Sequence, residues 1–269
     1  MYTKKDILAQ LKKINPKRDS VVILHASLRS IGAVEGGGEG LLDTMIEYFT
    51  AEGGLLCVPT HTWGNLGCAD KPTLDMTAPW SNIGALASIA AADPRGLRTE
   101  NPTHSVVIFG DRSRAISLSE NEAQLITPTA PEGLYGKLFS TGGQILLVGV
   151  NQSKNTYLHA VAEILDLPNR MSSKPVSVTV KRASGEVVER KICLYDNSNT
   201  RDIATRFPLY DTAFRYHQCI TDGFIGDAPA QLCDAVKIKE TVELIFKNSS
   251  GEDPLADEFP IPPSLYCRT

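Results

Sequence analysis

No apolar run in this sequence approaches the roughly 18–20 residues that a membrane-spanning helix needs. The longest candidate, Ile83 to Ala92, is short and alanine-rich. The stretch Met1 to Leu11 is charged and carries no hydrophobic signal core. An excess of one charge is missing too: 27 basic residues against 31 acidic give a formal net charge of −4. A broad basic face for nucleic acid is therefore not expected, and neither is a membrane partner. The six cysteines, at 57, 68, 193, 219, 233 and 267, contain no C-x-x-C pair. That removes support for a zinc site, and no other metal is expected. Without a secretion signal the cysteines read as reduced thiols, and the expected compartment is the cytoplasm. Walker A, G-x-G-x-x-G and the G-x-S-x-G of serine hydrolases are all absent. So are internal repeats and low-complexity tracts.

What is present is enough apolar material for a packed core. At 269 residues and 42% hydrophobic content, the chain fits one large α/β domain over 1–269. Thr3 with Asp6 has capping-box spacing, Ile7, Leu8 and Leu11 recur at helical intervals, and Asn15-Pro16 stops the helix. Ser20 to Leu24 is a short continuous apolar run rich in β-branched residues, the mark of a strand buried on both faces. Leu41 to Phe49 reads as a helix and Gly54 to Val58 as a strand, so the first 60 residues alternate α, β, α, β. Residues 60–82, with turn formers and two Trp, read as a long surface loop. A helix is expected over Ile83 to Ala92, and strands over Ser105 to Phe109 and Gln144 to Val150. Further helices are expected over Thr156 to Leu167 and Asp234 to Phe246. Pro175 to Val180 and Glu186 to Leu194 flank Ala183-Ser184-Gly185, a hairpin signal that interrupts the alternation. The fold class is a three-layer α/β/α sandwich with a mixed sheet and a β-hairpin insertion near 175–195.

Three stretches carry polar chemistry. His25 to Gly32 follows a strand directly, and in open α/β sheets ligands bind at the carboxyl ends of strands. Gly36 to Gly38, ahead of a helix, allow close backbone approach to a phosphate. An ordinary strand–loop–helix turn has the same pattern. Thr156 to His159 opens a helix after a strong strand, with Leu158, Val161, Ala162 and Leu165 as its core stripe. His159 and Glu163 share the neighbouring face, with Asp166 close by. The helix start disfavours imidazolium and biases His159 towards acting as a base. A surface histidine paired with Glu163 fits the same spacing. Arg98 to Ser105 contains an Asn-Pro turn, and Arg98 is a candidate anion ligand, although a plain turn reads equally well. His61, just after a strand, is placed to line the same cleft. His217 gives no usable signal.

Together these stretches resemble the aminoglycoside 3-N-acetyltransferase family. One family motif, of the type H-x-S-[LV]-x-x-[IVL]-G-x-[IV]-x-G-G, is matched by His25, Ser27, Leu28, Ile31, Gly32, Val34, Gly36 and Gly37. A strand ending in Pro59-Thr60 follows, then Ser81 with Gly84 to Ala87, then Arg98, Asn101, Pro102, Ser105 and Gly110. The T-x-x-H element is matched by Thr156 to His159 after Leu146 to Gly149. A final element runs from Ile225-Gly226 through Ala228 and Leu232 to Ala235. Five pieces in family order over some 220 residues are specific where each alone is weak.

The resemblance implies acetyl transfer from acetyl-CoA to an amine of an amino sugar, either an aminoglycoside or a biosynthetic amino sugar. It implies that Ser27, Leu28, Arg29, Ser30, Ile31 and Gly32 hold the cosubstrate, with Ser105 as a further contact, and that His159 is the general base. Two family acids are replaced. The position three after His159 is Ala162, with Glu163 one residue later, and the segment Pro208 to Thr212 keeps Asp211 but lacks a glutamate. Glu163 in place of the missing acid and the surviving Asp211 are therefore the expected catalytic acids, and affinity for polycationic aminoglycosides is expected to be reduced. A CoA- or ligand-binding paralogue without turnover and a thioester hydrolase are the alternatives. The family reading leaves room for a homodimer.

Overall fold

The capping box at Thr3 forms: its hydroxyl accepts from the Asp6 N–H while the Asp6 carboxylate accepts from the Thr3 N–H. Helix α1 (Lys4–Ile14) comes next and ends at Asn15, left-handed at φ 56° ahead of Pro16. The computed structural model describes residues 1–62, 73–78, 81, 83–196, 202–257 and 259–267. The chain continues with β1 (Val21–Ala26), the short α2 (Leu28–Ile31), α3 (Gly37–Thr50), β2 (Leu55–Pro59), β3 (Thr73–Asp75), α4 (Ala85–Ala92) and β4 (Leu97–Arg98). Its middle holds β5 (Val106–Phe109), α5 (Arg112–Ser119), α6 (Leu134–Ser140), β6 (Gln144–Val148) and α7 (Tyr157–Ile164). The last third holds β7 (Val176–Lys181), β8 (Val187–Ile192), α8 (Asp211–Tyr216), β9 (Ile220–Ile225), β10 (Ala228–Asp234) and α9 (Ala235–Asn248).

Seven strands form one mixed sheet in the order β4-β5-β2-β1-β6-β10-β9. The centre is parallel: β1 lies between β2 and β6, in register Ile23↔Cys57 and His25↔Leu147. The strands outside it are antiparallel to their neighbours. The continuous apolar run of β1 divides between two cores. Val22 and Leu24 face one side, with Leu11 of α1, Met45 of α3 and Leu86 of α4. Val21 and Ile23 face the other, with Leu138 of α6, Val161 of α7, Phe214 of α8 and Ile245 of α9. This is the expected three-layer sandwich, and the period-2 geometry of a doubly covered strand is its cause.

The hairpin insertion also forms. β7 and β8 pair antiparallel, with Gly185 at φ 87° in the turn. Its surroundings differ from expectation in one respect: β3 pairs parallel with β7, making a second sheet of three strands. Thus part of the segment expected as a surface loop is a strand, and Thr60, His61, Thr62 and Ser81 within it are buried. Both Trp of that segment, and Cys68, lie outside the described residues. The other five cysteines are free thiols. The β9–β10 hairpin was not anticipated from the sequence, although Gly226-Asp227 is a two-residue turn of a recognised type. Gly226 stands at φ 58°, and a Cβ there would come within 2.2 Å of the Ile31 carbonyl oxygen. Among the described residues no helix is long and apolar enough to cross a membrane.

Candidate active site

Three parallel strands end side by side, and the segments that leave their carboxyl ends build one cavity. After β1 the chain passes Ser27, whose N–H donates to the Val148 carbonyl at the end of β6. The Ser27 hydroxyl caps α2 by accepting from the Ser30 N–H at 3.3 Å and the Ser30 hydroxyl at 2.9 Å. The chain after β6 presses against this turn. Gly149 stands at φ 65°, and a Cβ there would lie 2.5 Å from the Ser30 Cβ, so close approach requires glycine. The polar loop after Gly149 then leads into α7. Asn155 closes the start of that helix: its side-chain oxygen accepts from the Tyr157 N–H.

The cavity measures about 860 Å³ and lies at the carboxyl ends of β1, β2 and β6. Its wall includes His25, Ser27, Leu28, Arg29, His61, Gly84 to Ala87, His104, Lys154, His159, Tyr195 and Asp202. The three stretches singled out in the sequence therefore converge on one site. Four histidines crowd it. The rings of His61 and His104 lie 4.3 Å apart, and His61 Nε2 is 2.9 Å from the Tyr135 hydroxyl. His104 Nδ1 is 2.9 Å from the Thr103 hydroxyl. His25 is buried, and its Nε2 has no hydrogen-bond partner among the described residues. His159 is stacked on Tyr195, centroid to centroid 4.0 Å at 10°, and meets Phe207 edge-on at 4.9 Å. No group of three metal-ligating side chains is set to hold an ion among the described residues.

Burial sets the protonation of this cluster. Desolvation lowers His25 and His104 to about 3. It also holds His61 well below the usual range, with the neighbouring histidines adding to the effect. His159 is held well below its ordinary value, first by burial, then by repulsion from His104 and Arg170. The neutral imidazole expected from the helix start is thus present, and removal from water is its main cause. Neither His159 nor Glu163 is the exposed ion-pair partner that their spacing also allowed. Glu163 is half-buried, and its carboxylate accepts from the Thr127 hydroxyl and from the Thr129 hydroxyl and N–H. It is engaged with that loop and does not reach the cavity wall.

The remaining candidates divide. Ser27, Leu28 and Arg29 line the cavity, whereas Ser30 is turned to Ser27 and to the Gly149 carbonyl. Ile31 is fully buried, and Gly32 packs near Asp227. Ser105 is also fully buried and donates to the Thr60 carbonyl at 2.8 Å, below the wall. Arg98 does not stand open to an anion: its guanidinium donates to the Ala78 and Thr60 carbonyls and to Ser105. Asn101 forms the plain turn, accepting from the Thr103 and His104 N–H groups, and so sets His104 in place. Asp211 is half-buried, 3.8 Å from Arg215 and away from the wall, and one carboxyl oxygen has no hydrogen-bond partner among the described residues. His217 bonds the Tyr266 carbonyl at 2.8 Å and is not part of the wall. Sequence reasoning missed Tyr195, Asp202 and Lys154. Tyr195 follows the hairpin insertion and carries no local signal, and Lys154 lies in the polar loop before α7, where its charge was the only hint.

A family model described as aminoglycoside 3-N-acetyltransferase matches residues 23–247. The chain is 24% identical over 255 residues to aminoglycoside N(3)-acetyltransferase IV of Salmonella sp, covering 94% of this chain and 89% of that one. Among solved structures, a variant of aminoglycoside acetyltransferase AAC(3)-IVa in complex with a gentamicin superposes with a TM-score of 0.76 at 22% identity, covering 93% of this chain and 90% of that one. AAC-IIIb, as a binary complex with CoASH, superposes with a TM-score of 0.75 at 20% identity, over 94% and 98% of the two chains.

Proposed function

The chain belongs to the aminoglycoside 3-N-acetyltransferase family and is an N-acetyltransferase, and from that premise we propose that it moves the acetyl group of acetyl-CoA onto the amine of a low-charge amino sugar, with His159 as base. The observation that carries this reading is the His159 imidazole, its basicity lowered by burial, partly accessible from the wall of a cavity at the carboxyl ends of three parallel strands. A neutral imidazole accepts a proton as the amine nitrogen attacks the thioester carbon. The carbon–sulfur bond then breaks, CoA leaves as thiolate, and the imidazolium returns its proton to the sulfur.

The wall suits an acyl-CoA cosubstrate. Arg29 and Lys154 are exposed cations on it. The first turn of α4 adds N–H groups that no side chain caps among the described residues, which also leave open the space where a Cβ would stand at Gly84. Both features favour phosphate. The AAC-IIIb complex with CoASH supports the same assignment.

The acceptor is argued from charge. Among the described wall residues the one acid is Asp202, since Glu163 is tied to Thr127 and Thr129 and Asp211 lies elsewhere. A polycation finds few carboxylates there. Neighbours such as the gentamicin complex support an amino sugar as the acceptor class. The test is radiolabelled acetyl transfer to a panel of amines, with hydrolysis in the absence of amine as the control. His159→Ala is expected to lose at least 100-fold in transfer, in line with the 10²–10⁴-fold a general base typically contributes, while CoA still binds. A variant retaining more than a tenth of wild-type turnover removes the assignment.

A further inference from the structure

Resting on His159 as the base, we propose that Tyr195 is the positioning residue that holds its imidazole, and that the hairpin insertion exists in part to deliver it. The two rings lie face to face, 4.0 Å between centroids at 10°, an arrangement that fixes the imidazole plane. The Tyr195 hydroxyl is 2.8 Å from the Thr129 hydroxyl. Thr129 in turn donates to Glu163 through both its hydroxyl and its N–H. Glu163 stands one turn after His159 on α7. The connections therefore close a ring: His159 to Tyr195 by stacking, Tyr195 to Thr129 to Glu163 by hydrogen bonds, and Glu163 to His159 through the helix. Glu163 acts on the base at a distance, through two intermediaries, without touching the reacting atoms.

The placement of Tyr195 comes from the small sheet. It follows β8, and an isolated bridge to Met171 pins it. Its ring also meets His104 edge-on at 5.4 Å. Among the described residues, groups from several elements surround His159: His104 before β5, His61 after β2, Arg170 after α7, Phe207 in the Ile203–Tyr210 turn, and Tyr195, with Lys154 and Asp202 on the same wall. Arg170 is itself paired with Asp253. Of these, Tyr195 covers a whole face of the ring. Its removal admits water to His159 and relieves the desolvation that lowers the basicity of the imidazole.

The experiment compares Tyr195→Leu, Tyr195→Phe, Thr129→Val and the double variant Tyr195→Phe/Thr129→Val, with His159→Gln as control. Acetyl transfer is measured from pH 5 to 9, and the His159 ring is titrated by NMR. Tyr195→Leu is expected to lower kcat at least tenfold, to leave KM for acetyl-CoA within threefold, and to move the acid limb and the ring titration upward towards 6.5. Tyr195→Phe keeps the stack, so its acid limb stays in place while kcat falls several-fold. The double variant should be no worse than Thr129→Val alone, because that variant already cuts the connection that Tyr195→Phe removes. Turnover of Tyr195→Leu within twofold of wild type, or an unmoved ring titration in that variant, overturns the proposal. Full activity of His159→Gln instead sinks the base assignment itself. Should Tyr195→Leu not fold, Thr129→Val and Tyr195→Phe decide: additive losses in the double variant refute the closed ring.

Discussion

Acidification should unfold this protein by loading protons onto its buried histidines, and the amount can be worked out. His25 and His104 are lowered from about 6.5 to about 3 by burial. The folded state therefore takes no proton there until the pH is near 3, while the unfolded chain takes one at each site below 6.5. Stability is full above about 6.5 and is lost progressively between 6.5 and 3. At pH 5 each such histidine costs about 2 kcal/mol, and at pH 7 almost nothing. His61 and His159 are lowered as well, by burial and by their neighbours, and add to the loss in the same direction. Glu122 and Glu163, raised by burial, run the other way, because the folded state holds their protons more tightly and gains as the pH falls. His25 and His104 alone lose about 4 kcal/mol between pH 7 and pH 5, a large share of the 5–15 kcal/mol that holds an ordinary domain together. Urea unfolding followed by circular dichroism at pH 7, 6 and 5 measures it. His104→Phe, which removes one site and keeps an aromatic ring, should shrink the loss by about 2 kcal/mol. A change below about 1 kcal/mol in the wild type would refute the argument, since it means that the cluster is hydrated or already protonated when folded.

The same geometry sets other outcomes. The pH profile of kcat/KM should fall on the acid side below the ordinary histidine range, because only unprotonated His159 accepts a proton and its value is lowered. A limb at or above 6.5 argues against this base. Ser27→Phe places a ring in the cavity and breaks the cap on α2, so CoA affinity by calorimetry should drop more than tenfold in a folded protein. Gly32→Val acts differently: at φ 83°, with a Cβ 2.5 Å from the Asp227 carboxylate, it should lower stability by about 1–3 kcal/mol and leave CoA affinity nearly unchanged. Gentamicin-type antibiotics should be turned over with kcat/KM below about 10⁴ M⁻¹s⁻¹, and mono-amino sugars faster. Two missing carboxylates at 1–3 kcal/mol each amount to roughly 30-fold or more in affinity, so efficient turnover of the antibiotics shows that acids outside the described wall do this work.

Much of the fold was legible because its signals are local. The Thr3 capping box, the β-branched run of β1 and the glycine in the β7–β8 turn each act over a few residues, and each forms as its residues dictate. The paired cores come from β1 as well, since a run apolar at four successive positions, Val21 to Leu24, must be covered on both faces. Shorter or more polar elements were not visible: α5 buries only Ala115 and Leu118, and β9 alternates weakly. Of the site, the sequence determined that small polar segments follow β1 and β6 and that a histidine opens α7. Parallel strands then bring those segments to one edge, whatever their separation along the chain.

Tertiary structure alone decided the chemistry at that edge. Nothing near Glu163 in the chain says whether its carboxylate faces His159 or the loop at Thr127 and Thr129, because one step around a helix separates the two and packing selects between them. Nothing near Tyr195 says that it will lie flat on a ring 36 residues earlier. The lowered basicity of four histidines is likewise not a property of any segment: it arises when loops after β2 and α7 and before β5 close around β1 and exclude water. Desolvation depends on everything within reach in space, and the chain sets that only once it has folded.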